Sequence, residues 1–111
     1  MNILCICEGG NSRSVGLAQV LKTEHYHNAI AVGTMYAFNA NNGREPGTML
    51  SRWADRIVFM ADYIMESARE CIPEDCRHKI RLCEVGKDVY SRPYDQSLVD
   101  QCRAKALEIV K

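Results

Sequence analysis

The chain has 111 residues, room for one domain (1–111) built on one core. Hydrophobic residues make up 47% and charged residues 25%, the balance of a globular protein rather than a disordered one. Fourteen basic and fourteen acidic residues cancel, so no net field points to nucleic acid or an anionic membrane as a partner.

No apolar run approaches a membrane span, and Met1-Asn2-Ile3-Leu4-Cys5-Ile6-Cys7 lacks the charged start and cleavage site of a signal peptide. The expected address is the cytoplasm, where thiols stay reduced. The six cysteines therefore read as buried apolar residues or reactive thiols rather than as a disulfide framework.

Residues 2–7 are a short continuous apolar run, as in a strand covered on both faces. A loop at 8–12 follows, then a helical pattern from about Ser12 to Lys22 with Val15, Leu17, Ala18, Val20 and Leu21 as its apolar face. Ala29-Ile30-Ala31-Val32 predicts a second strand, stopped by Gly33. Residues 34–47 read as a polar connection, and its aromatics Tyr36 and Phe38 lack an evident core duty. A short helix is expected from about Thr48 to Trp53, then a third strand at Ile57-Val58-Phe59-Met60.

Asp62 is placed to cap the next helix, in which Ile64, Met65, Ala68 and Ile72 recur at helical spacing until Pro73 ends it. Residues 79–85 alternate, with Ile80 and Leu82 set against Lys79 and Arg81, as in a strand with one more exposed face. A loop at 86–94 leads to Asp95 and a last helix faced by Leu98, Val99, Cys102, Ala106 and Ile109. Strands alternating with helices predict an α/β three-layer sandwich: a four-stranded parallel sheet, order 2-1-3-4, with helices on both faces. In such sheets ligands bind beyond the C-terminal ends of the strands, where the loop after the first strand lies.

That loop, Cys7-Glu8-Gly9-Gly10-Asn11-Ser12-Arg13-Ser14, carries the chemistry. Cys7 would end a strand beside a helix N-terminus, facing Arg13 and the hydroxyl of Ser14 or Ser12, all of which favour a thiolate nucleophile. Backbone N–H groups of residues 8–13 can turn inward as an anion nest, and Gly9 and Gly10 permit the positive φ this needs. The planar fork of Arg13 matches two phosphate oxygens, which lysine would not do. Each piece alone is common, as a buried strand cysteine, a Gly-Gly turn and a serine N-cap. Their position at the end of the first strand and the start of the first helix favours a tetrahedral-anion site.

With that Cys-x5-Arg-Ser loop in place, the chain resembles the low-molecular-weight protein tyrosine phosphatases, and more closely their compact bacterial and phage-type relatives. The likeness extends to Trp53-Ala54-Asp55-Arg56-Ile57-Val58-Phe59-Met60 and to Val85-Gly86-Lys87-Asp88-Val89-Tyr90. It implies a nucleophilic cysteine at Cys7, a phosphate-binding arginine at Arg13, and a thiolate-stabilising serine at Ser14. Two positions depart from the family pattern. Gly10 stands where many members have a loop-bracing asparagine, with Asn11 one place later, and Ser12 where many have a second, protective cysteine.

Cleavage of a phosphate monoester needs an acid opposite the nucleophile, from another loop at the same sheet edge. Asp62 and Asp95 read better as helix caps. Asp88 has neither duty, and Asp88-Val89-Tyr90 keeps the ends of the family's Asp-Pro-Tyr, so Asp88 is the expected acid and Asp95 the alternative. Tyr36, Phe38 and Tyr90 are candidate walls of a slot for an aromatic phosphoester.

The expected activity is hydrolysis of phosphate monoesters, phosphotyrosine foremost, through a phosphocysteine. The expected partners are a phosphorylated protein or small aryl phosphate, with a phosphate- or sulfate-like anion in the loop and no cofactor. Cys71, Cys76, His78 and Cys83 have metal-ligating chemistry but no paired Cys-x-x-Cys knuckle, so no metal site is assigned. Two rivals stand beside this: an arsenate reductase of the same fold, which needs resolving cysteines, and a phosphate or phosphotyrosine binder that kept the cradle without turnover.

Overall fold

The computed structural model describes residues 1–10, 12–38, 45–86, 89–90 and 92–111. The elements, in order, are β1 (Asn2–Cys7), α1 (Arg13–His25), β2 (Asn28–Gly33), α2 (Thr34–Ala37) and α3 (Glu45–Trp53). Then come β3 (Arg56–Phe59), α4 (Asp62–Ala68), 3-10 turns at Arg69–Cys71 and Glu74–Lys79, β4 (Ile80–Leu82) and α5 (Gln96–Ile109).

The four strands form one sheet of order β2-β1-β3-β4. All its pairings are parallel, with Cys7 opposite Gly33 at the β1–β2 end and Ile6 opposite Phe59 between β1 and β3. The expected order and class hold. Right-handed crossovers place α1 on one face, because the chain steps from β1 to β2 in one direction. They place α3 and α4 on the other face, because the later steps run the opposite way. The last helix, α5, returns to pack on α1.

β1 is central, and Ile3, Leu4, Cys5, Ile6 and Cys7 are all buried, which is why its sequence is apolar at every position. Burial of each large aliphatic there stabilises the fold by about 2 kcal/mol. β2 is an edge and is only partly covered: Ala29, Val32 and Gly33 are buried while Ile30 is exposed. Among the described residues no helix is long and apolar enough to cross a membrane.

Four expectations need correction. The stretch 34–47 contains helix α2, and α3 starts at Glu45 rather than near Thr48. Pro46 suits a first helical turn, where no N–H is missed. Gly47 belongs to that turn too, because a Cβ there would stand 2.2 Å from the Phe38 ring. Residues that resemble loop punctuation are therefore a helix start.

Asp62 is the first helical residue of α4 and makes no side-chain cap; Ala61 holds the cap position. The Asp62 N–H instead donates to Glu84 Oε2 at 2.8 Å. The α-helix ends at Ala68 rather than continuing to Ile72, which is buried as the chain turns out of its 3-10 segment.

The fourth strand covers only Ile80–Leu82, and Lys79 belongs to the preceding turn. Leu82 is exposed, whereas Cys83 and Val85 beyond the strand are buried. A short edge strand blunts the open side of the sheet. Beyond it the backbone still bonds to the β3 end, through Cys83 N to Phe59 O (2.8 Å) and Val85 N to Met60 O (3.2 Å).

Candidate functional site

Cys7 ends β1 and is almost wholly buried. Its Sγ lies 3.0 Å from Ser14 Oγ and accepts the Gly10 N–H at 3.1 Å. A hydroxyl and an amide thus converge on one sulfur, beside the first turn of α1. Cys5 lies on the same strand in a different environment. Burial first, then the neighbouring Cys83, push its thiol well above the ordinary cysteine range.

Arg13, the first residue of α1, has no exposed surface. A buried cation is costly unless polar groups surround it. Its Nη1 donates to Gly86 O at 2.8 Å and to Tyr63 Oη at 2.9 Å, and its guanidinium sits 5.8 Å from the Tyr63 ring centroid. The side chain is thereby aimed from the helix start toward the loop after β4.

Gly10 has φ +71°, the left-handed region that glycine takes without strain. A side chain there would also collide with β2, since a Cβ would stand 2.6 Å from Gly33 N and 2.9 Å from Val32 C. Glycine therefore suits this position, where Gly10 and Gly33 abut backbone to backbone. Ser12 holds the N-cap position of α1 but makes no side-chain cap bond, and it is buried. Glu8 and Gly9 are exposed, and Asn11 lies outside the described residues.

Asp95 caps α5, with its Oδ1 accepting the Ser97 N–H at 3.0 Å. Asp88 lies outside the described residues. Tyr36 is exposed on α2 beside a hollow lined by Pro46, Met49 and Leu50. The Phe38 ring is buried in the core against Gly47. Tyr90 is half-buried, donating to Val85 O at 3.0 Å and accepting from Gln101 Nε2 at 2.7 Å.

Sequence reasoning passed over Tyr63, Glu84, Gly86 and Gly33. The Glu84 carboxylate bridges two loops, accepting Asp62 N–H through Oε2 and Gly86 N–H through Oε1, each at 2.8 Å. The Lys105 ammonium of α5 donates to the Glu84 carbonyl. Gly86, at φ +79°, turns its carbonyl to Arg13. Tyr63 and Gly33 lie at the C-terminal sheet edge, so the rule that locates sites there was the available signal.

With this loop and topology, the chain has the fold of the low-molecular-weight protein tyrosine phosphatases. Wzb of Vibrio vulnificus, solved with benzylphosphonate, superposes with TM-score 0.66 at 17% identity over 96% of this chain and 97% of that one. A protein tyrosine phosphatase from Entamoeba histolytica with Hepes in its active site gives 0.62 at 19% identity, covering 97% of both chains. The YwlE arginine phosphatase of Geobacillus stearothermophilus gives 0.64 at 13% identity, covering 98% of this chain and 88% of that chain. No family model matches the sequence, and no curated protein matches it.

Proposed function

We propose that this chain is a phosphatase that cleaves phosphate monoesters, phosphotyrosine foremost, through a phosphocysteine intermediate. The observation that carries the reading is Cys7 Sγ, held 3.0 Å from Ser14 Oγ and 3.1 Å from Gly10 N where the buried Arg13 begins α1. The fold shared with solved phosphatases supports it.

The Cys7 thiolate attacks phosphorus, an S–P bond forms, and the P–O bond to the leaving group breaks in line with it. Asp88 gives its proton to the departing oxygen. The ionised Asp88 then takes a proton from water, which attacks the phosphocysteine and releases inorganic phosphate and the thiolate. Loop amides and Arg13 hold the equatorial oxygens through both steps. The capping bond made by Asp95 leaves Asp88 the better candidate acid.

The test is p-nitrophenyl phosphate turnover by the wild type, Cys7→Ser and Asp88→Asn, with phosphate binding by calorimetry alongside. Turnover that disappears in Cys7→Ser while phosphate still binds supports the reading. Phosphate binding without wild-type turnover would make the chain a binding module instead.

A further inference from the structure

Glu8 is the part of the cradle that phosphate binding does not explain. It follows Cys7 directly, is exposed, and places a carboxylate in a loop proposed to hold a dianion. Like charges brought near one another repel. The Tyr63 hydroxyl accepts from Arg13 Nη1 at 2.9 Å. Burial first, then the neighbouring Glu8 carboxylate, hold that phenol above its ordinary range. Glu8 thus stands near the phenol that contacts the buried arginine.

A carboxylate has about four acceptor positions, and those of Glu8 are open to solvent because the side chain is exposed. Among the described residues no cation forms an ion pair with Glu8. Asp62, next to Tyr63, is exposed as well and adds charge of the same sign. The loop after Cys7 therefore offers an exposed negative charge with open acceptor positions.

We propose that Glu8 selects substrates that carry a positive charge close to the phosphate, as in phosphotyrosine flanked by arginine or lysine. The inference rests on the phosphatase reading of the same site. A cationic flank neutralises Glu8, so the bound dianion no longer faces an unbalanced carboxylate. An acidic flank is repelled by the same group, which turns one residue into both attraction and rejection. An exposed pair of this kind supports about twofold to fivefold per charge, and added salt weakens it.

The experiment compares kcat/KM for three phosphotyrosine pentapeptides, flanked by arginines, alanines or glutamates, in the wild type and Glu8→Gln at low ionic strength. The wild type is expected to rank arginine over alanine over glutamate, in steps of about twofold to fivefold. Those steps should shrink toward one in Glu8→Gln, and in the wild type at high salt. Ratios taken within each enzyme cancel any general effect of altering the loop.

Equal ratios in the two enzymes, or no charge preference in a wild type that cleaves the alanine peptide, overturn the inference alone. So does turnover of p-nitrophenyl phosphate with no peptide cleaved. Turnover of none of these substrates overturns the phosphatase reading, and this inference with it.

Discussion

Gly33→Ala isolates the contact on which the cradle leans. Gly33 closes β2 at φ −99° and ψ 150°, extended backbone that alanine adopts without strain, so the substitution tests space alone. The new methyl carbon would stand 2.5 Å from Glu8 O, 2.7 Å from Gly9 C and 2.9 Å from Gly10 N. All three are backbone atoms, and no side-chain rotation relieves the clash. Ordinary contact begins at 3.4 Å, so the Glu8 carbonyl must retreat by about 0.9 Å or the end of β2 must move as far.

Overpacking of that order costs about 1–3 kcal/mol. In a domain near this size each kcal/mol lowers Tm by roughly 4–8 °C. A shift of ~1 Å in groups that position a reacting atom costs about a hundredfold in rate. Thermal melts followed by circular dichroism and kcat/KM for p-nitrophenyl phosphate read both effects. An alanine variant that matched the wild type in Tm and turnover would refute the claim that β2 positions the Cys7 loop.

Three further outcomes are expected. Asp88→Asn should lose about a hundredfold to ten-thousandfold in kcat for a substrate with a poor leaving group. Asp95→Asn, which keeps a capping side chain, should lose little, and the reverse ranking in steady-state kinetics would move the acid to Asp95. Asp95→Ala should lower stability by about 1 kcal/mol in urea unfolding, through the cap on Ser97 N. Tyr63→Phe removes one acceptor from the buried Arg13 and should lower kcat/KM about tenfold.

The same variant has a pH signature. Desolvation first, then the neighbouring Glu8 carboxylate, hold the Tyr63 phenol above its ordinary range. The unfolded chain therefore ionises first as pH rises past ~10, and binds fewer protons than the folded one. Wild-type stability should fall with pH in that window, and Tyr63→Phe should lack this part of the slope. Urea melts between pH 9 and 11 measure it; identical slopes would contradict the assignment.

The strand pattern was legible because burial leaves a direct mark on composition. A central strand covered on both faces must be apolar throughout, as Asn2–Cys7 nearly is, and alternating helices then leave few sheet topologies. Helix ends were less legible. α1 runs three residues past Lys22 and stops at Tyr26 in the left-handed conformation, where no glycine marks the turn. Pro46 and Gly47 read as loop because composition does not reveal that Phe38 lies against that turn.

The meeting of Cys7 with Ser14 could be read from the chain itself, since a thiol at the end of a strand and a hydroxyl seven residues on meet through local geometry alone. The groups that aim Arg13 could not. Tyr63 and Gly86 are 50 and 73 residues away along the chain, and Glu84 acts by joining two loops through one carboxylate. Only the parallel pairing of β1 with β2 and β3 brings their ends to one edge, where Gly33 meets Gly10 and Tyr63 meets Glu8. The sequence by itself determined the Cys7 loop and the fold that carries it; long-range packing decided what holds the arginine.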